Sequence, residues 1–229
     1  MSKRVLVLDN SIYRAVYHPV AEWSRYFNGV PFDAVRVPSG RPIPPLDAYS
    51  HLLVTGSEAS LAGKPEPWFA AEAEVVHTAV ARGLAVLGSC FGHQFLAWAL
   101  SGPAHVRQAP LPELGWIAVS IDARDPLLAD VASPWHAFAA HTDEVVAPPA
   151  PWRVLASTTS CAVEAMRYGD HPVWGIQPHP ETPPDHARLL MRAALVRHPE
   201  YAGVIQEALA SPVRDDETAA GIAAAFLAA

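Results

Sequence analysis

The chain has 229 residues, 51% of them apolar and 17% charged, with a formal net charge of -7. That balance supplies a sizeable core, and the lack of a basic stripe argues against nucleic acid or an anionic membrane as partner. Two cysteines, Cys90 and Cys161, are too few for a disulfide scaffold and fit a reducing, cytoplasmic setting.

In chain order, "RVLVLD" (residues 4–9) reads as a buried strand. The apolar run stops at Asp9, so no signal peptide is expected. "AVYHPVAEWSRYF" (15–27) reads as a helix interrupted near Pro19 and stopped by Gly29. "DAVRV" (33–37) is a second strand, residues 41–50 a loop, and "HLLVTGS" (51–57) a third strand ending at glycine. The segment 66–83 predicts a strong helix, with Val75, Val76, Ala79 and Val80 on one face and Gly83 just past its end. "LAVLGS" (84–89) is a fourth strand and "FGHQFLAWALSG" (91–102) the next helix.

Short apolar strands alternating with helices imply α/β architecture: a mostly parallel central sheet flanked by helices. After Gly102 the character changes. Segments 105–122, 135–147, 152–158, 161–169 and 171–177 are short and strand-like, and suggest an antiparallel excursion. Helices close the chain near 185–197, 200–210 and 215–229. The apolar tail is about half a membrane span and is expected to be a docking helix or a frayed end. No linker or repeat divides the chain, so one domain is expected over 1–229, with a core over about 3–195 and C-terminal helices over 196–229.

Cys90 stands at a strand–helix junction, within Gly88-Ser89-Cys90-Phe91-Gly92. Open parallel sheets form sites at the carboxyl ends of their strands. Small residues two before and two after a nucleophile allow the sharp turn of a nucleophile elbow. The turn places the thiol at a helix N-terminus, where the dipole favours thiolate. The Phe91 N–H would face an incoming carbonyl oxygen, and Gln94 lies one turn on, on the same helix face. This pattern alone leaves a nucleophile and a tight structural turn both open.

A nucleophile needs a base. "GIQPHPETPP" offers His179 and Glu181, two residues apart on one side of an extended segment, which suits a base and its orienter. A proline-rich surface loop would look similar without the elbow. Elsewhere Cys161 reads as a packed thiol, His93 as structural or surface, and His77 as solvated. Trp68, Trp98, Trp116 and Trp174 read as core or interface. His171, His179 and His186 recur too sparsely for a metal site. No metal and no cofactor are expected.

Together, Gly88-x-Cys90-x-Gly92-x-Gln94 and His179-Pro180-Glu181 resemble the two signatures of the class I (triad) glutamine amidotransferases. "VTGS", "ELGW" (113–116) and "HTDEV" (141–145) are similar to further segments of the GMP synthetase-like branch. The resemblance covers about residues 3–195 and implies a flavodoxin-like α/β fold. It implies that Cys90 attacks the glutamine γ-carboxamide, that His179 shuttles protons, and that Glu181 holds His179. It also implies an oxyanion hole from Gly56, Ser57 and Phe91, and substrate contacts from Gln94, His141, Thr142 and Asp143. Three positions depart from the common pattern. Gly56-Ser57-Glu58 replaces two glycines and a proline, Pro178 an aromatic residue, and Ala140 a serine. No synthetase domain accompanies the motifs. The resemblance therefore implies either a separate acceptor enzyme for ammonia or independent action on γ-glutamyl compounds such as glutathione conjugates.

Overall fold

The computed structural model describes residues 3–229. Its centre is built from β1 (Val5–Asp9), β3 (His51–Val54), β4 (Ala85–Ser89) and β9 (Val173–Ile176), in which every residue is buried. β2 (Phe32–Arg36) is partly exposed and lies at the edge. Strands whose two faces are both covered carry unbroken apolar runs rather than alternation, which is why the sequence pattern exposed them.

The nine-stranded sheet has the order β2-β1-β3-β4-β9-β8-β7-β5-β6. The pairings from β2 to β9 are parallel. The others are antiparallel and use β8 (Ala165–Tyr168), β7 (Trp152–Ser157), β5 (Val106–Ile121) and β6 (Trp135–Val145). This is the expected parallel sheet with its antiparallel excursion. β9, late in the chain, inserts directly beside β4.

Alternate residues serve the two faces. Leu6, Leu8, Leu52, Val54 and Val86 pack against Phe69, Phe91 and Phe95 of α2 (Phe69–Ala81) and α3 (Phe91–Ser101). Val5, Val7, Leu53 and Leu87 pack on the other side with Trp23 of α1 (Pro19–Ser24) and with Ile222 and Phe226 of α6 (Ala219–Ala228). The apolar tail thus covers the sheet. A smaller cluster joins Phe138 of β6 to α4 (Pro184–Arg197) and α5 (Ala202–Ala210) through Met191 and Ile205. Among the described residues no helix is long and apolar enough to cross a membrane.

Local details differ from the sequence pattern. Pro19 opens α1 rather than interrupting a longer helix, because its fixed φ and missing N–H suit a first turn. Gly83, at φ 72°, follows α2 as expected. The stretch at Cys161 is a turn before β8, not a strand: the Thr158 N–H donates to the Cys161 carbonyl at 2.8 Å, and the Cys161 N–H to Thr158 Oγ1 at 2.9 Å.

Candidate active site

β4 ends at Ser89 and α3 begins at Phe91, leaving Cys90 alone at the junction with φ 51° and ψ -107°. That is a strained conformation for a non-glycine residue. The flanking glycines make it possible. A Cβ on Gly92 would lie 2.0 Å from the Val54 carbonyl oxygen, and one on Gly88 would lie 2.4 Å from that of Gly92. The Cys90 N–H donates to the Ile176 carbonyl at 2.8 Å, which pins the turn to β9. Its Sγ lies 3.9 Å from the Ala140 carbonyl oxygen.

The chain leaving β9 carries the other two residues to the same place. The His179 N–H donates to the Phe138 carbonyl at 2.7 Å. His179 Nδ1 lies 2.9 Å from Glu181 Oε1 and, donating there, leaves Nε2 of the neutral ring without a hydrogen; Cys90 is close enough to act on the charge of this ring. Burial works against charge on this imidazole, but Cys90 and Glu181 outweigh it and raise the His179 pKa well above its usual value. Ser89 Oγ also reaches Glu181 Oε1, at 3.4 Å.

Residues outside both motifs hold this arrangement. Glu22 of α1 is fully buried; it accepts from Thr182 Oγ1 at 3.0 Å and pairs with His186 Nδ1 at 2.8 Å, which ties the His179–His186 segment to α1. The Tyr17 ring stands edge-on to His179, with centroids 5.9 Å apart. Its hydroxyl is buried, has no hydrogen-bond partner, and lies where a Gly56 Cβ would come within 2.2 Å. Sequence reasoning missed Tyr17 and Glu22. Neither belongs to a motif, and only tertiary packing brings them to the site.

Gly56 and Ser57 extend β3 past its pairing of Val54 with Gly88, beside the turn. A Gly56 Cβ would also lie 3.1 Å from His179 Cε1, so this backbone borders the imidazole. Phe91 is the first residue of α3, where N–H groups lack partners within the helix. The carboxylate of Glu58 accepts from the Ile12 N–H at 2.9 Å and the Tyr13 N–H at 3.4 Å, and its charge still reaches Tyr17 beside His179.

The expected substrate residues come together with their side chains largely committed. Gln94 Nε2 donates to the Asp143 carbonyl at 2.8 Å and to Gln177 Oε1 at 3.0 Å, leaving its own Oε1. Asp143 Oδ2 accepts from Ser60 Oγ and from the Leu61 and Ala62 N–H groups at 2.7, 2.9 and 3.2 Å. The His141 ring bridges the Asp143 carbonyl at 2.9 Å and Glu113 Oε2 at 3.0 Å. Thr142 is half-buried. These contacts leave few side-chain groups free, and Ala140, His141 and Asp143 are themselves paired with β5. His93 is fully buried, with Nε2 3.1 Å from the Val163 carbonyl oxygen, so it is structural.

A thiol on a strained strand–helix turn beside a histidine–glutamate pair, at the carboxyl edge of a parallel sheet, defines a cysteine-nucleophile site of the amidotransferase type. Residues 6–194 match the family described as "Glutamine amidotransferase class-I", and the chain belongs to that family. Among curated proteins it is similar to a glutamine-hydrolyzing GMP synthase subunit of Sulfurisphaera tokodaii, 41% identical over 95 residues, which is 42% of this chain and 50% of that protein. The corresponding protein of Methanocaldococcus jannaschii is 38% identical over 98 residues, 43% and 51% of the two chains. The match thus spans about half the length of these relatives. Among solved structures, a glutamine amidotransferase from Thermotoga maritima superposes with a TM-score of 0.80 at 18% identity, covering 99% of this chain and 97% of that one. One from Methylobacillus flagellatus gives 0.73 at 22% identity, covering 99% and 94%.

Proposed function

We propose that this chain hydrolyses the γ-carboxamide of glutamine and delivers ammonia to a separate acceptor enzyme. The observation that carries this reading is the Cys90 turn beside His179, whose Nδ1 is 2.9 Å from Glu181. The Cys90 thiol gives its proton to His179 as its sulfur attacks the amide carbon, and the C–S bond forms as the carbonyl oxygen becomes an oxyanion. The N–H groups of Phe91 and of the Gly56-Ser57 backbone receive that charge. His179 gives its proton to the amide nitrogen, the C–N bond breaks, and ammonia leaves. Water, deprotonated by His179, then attacks the thioester; the C–S bond breaks, glutamate leaves and the thiol is restored. Glu181 holds the imidazole tautomer throughout. Gln94 Oε1 and the 140–143 backbone face the amino-acid end of the substrate.

The relatives named as glutamine-hydrolyzing subunits of GMP synthase support an acceptor on a separate chain. The test is glutamate release by purified protein, with and without a candidate synthetase. The reading predicts turnover that disappears in Cys90→Ala. Equal rates for the two proteins would overturn it. γ-Glutamyl peptides belong in the same panel, since the thioester is identical and only the leaving amine differs. Turnover of those peptides in preference to glutamine would replace the ammonia-delivery reading.

A further inference from the structure

A second cluster of titratable side chains lies on the antiparallel half of the sheet. Glu113 on β5 and His141 on β6 are cross-strand partners, placed opposite each other by the register shift after Gln108. Cys161 and Glu164 come from the turn between β7 and β8. All four are buried, and each offers one donor atom such that the four atoms lie within 4.8 Å of one another.

The hydrogen bonding leaves this cluster short of positive charge. The Asp143 carbonyl can only accept, so His141 Nδ1, 2.9 Å away, carries the ring hydrogen. Nε2, the ring nitrogen not held by the backbone, faces Glu113 Oε2 at 3.0 Å. Glu113 Oε1 takes the hydroxyl hydrogens of Ser160 and of Thr158, the latter at 2.7 Å. That uses the Thr158 hydrogen, so its 3.4 Å contact with Glu164 Oε1 is secondary. Glu164 Oε2 is fully buried with no partner. A single proton would bridge one of these acceptor contacts. One divalent cation would engage all of them.

We propose that Glu113, His141, Cys161 and Glu164 form a structural zinc site, separate from the Cys90 site. One thiolate, one imidazole and two carboxylates make a four-coordinate set suited to zinc, and the mix of soft and hard donors disfavours magnesium or calcium. A ring Nδ1–H held by a backbone carbonyl is the usual outer support of a histidine that binds metal through Nε2. Donor–donor edges around tetrahedral zinc are about 3.3–3.6 Å from its bond lengths, so closing the set takes side-chain shifts of about 1 Å. Coordination releases the Cys161 thiol proton to solvent. The ion would also brace the 140–143 segment that the proposed function sets against the substrate, because the Asp143 carbonyl that holds His141 also accepts from Gln94.

The experiment measures zinc by mass spectrometry on full-length protein expressed with zinc and passed through gel filtration. Wild type and Cys90→Ala should each retain close to one zinc per chain, and Cys161→Ala and the near-isosteric Glu164→Gln should retain less than about a fifth of that. Cobalt loading of Cys90→Ala adds a readout that needs no variant of the cluster. Cys161 is then the only thiol in the chain, and a thiolate–cobalt charge-transfer band must come from it. Wild type that retains no zinc, zinc lost with Cys90 but kept without Cys161, or no thiolate band in Cys90→Ala would each overturn the site.

Discussion

The two halves of the sheet each hold a cysteine, a histidine and a glutamate, and they treat the thiol in opposite ways. On the parallel half Cys90 sits on a strained turn at the head of α3, beside an imidazole whose pKa is raised. On the antiparallel half Cys161 sits in a hydrogen-bonded turn, where burial first and the charge of Glu164 second push its thiol pKa far up. Their carboxylates differ as well. Glu113 is pushed up by burial, but His141, Glu164, Ser160 and Thr158 outweigh that and hold it below the usual range. Glu164 is raised by its own burial and by Glu113 beside it. Residue types alone therefore do not make a nucleophile. Backbone strain, the helix terminus and the geometry of the neighbouring imidazole decide it.

The largest test of that contrast removes the reactive thiol. Cys90→Ala should lower kcat for glutamate release by about 10⁶-fold, in the range found when a nucleophile or its base is removed from a triad. Next is the turn itself. Gly92→Ala changes no titratable group but drives a methyl into the Val54 carbonyl. It should cost about 3 kcal/mol in a urea unfolding curve and remove activity with the thiol still present. Alkylation separates the two thiols directly. Native protein treated with iodoacetamide should label Cys90 at least about 100-fold faster than Cys161, by peptide mass spectrometry.

Glu72 shows what burial does to a carboxyl without a histidine. It is fully buried, accepts one hydrogen bond from Asn10 Nδ2 at 2.9 Å, and is pushed up to about 8 by that burial. Its pKa is raised in the fold, so the unfolded chain gives up the proton first. Stability should therefore fall between about pH 4.5 and 8. Glu72→Gln should flatten that slope by up to about 1.4 kcal/mol per pH unit, read from urea midpoints across the range. The smallest effect concerns Tyr17. Its unpartnered hydroxyl penalises the free protein, and on the proposed function a bound substrate would take it up. Tyr17→Phe should add about 1 kcal/mol of stability while lowering kcat about tenfold, a combination a purely structural tyrosine would not give.

Much of the parallel half was legible in the sequence. The runs at Val5, His51 and Ala85 lack alternation because both of their faces are covered, and the two motifs named Cys90, His179 and Glu181 because tight turns restrict residue choice locally. What escaped depends on register. Glu113 meets His141 only after a shift in the pairing of β5 with β6. Reading histidine spacings along the chain drew attention to His171 and His186 instead, and His186 turned out to pair with Glu22. The sequence reading put Gln94 on the Cys90 face of its helix, but its partners Asp143 and Gln177 lie far along the chain, so its commitment to them left no local trace.

The pairing of β4 with β9 sets an order of events. The strand that carries Cys90 lies next to a strand made some eighty residues later, and that strand supplies both the Ile176 carbonyl that fixes the turn and the lead-in to His179. As the chain emerges from the ribosome the thiol is present long before its base, and the long-range closure that unites them is a late, slow contact. The sheet therefore completes its centre and brings His179 to Cys90 in one step, and on the proposed function a partly made chain carries a cysteine without its base.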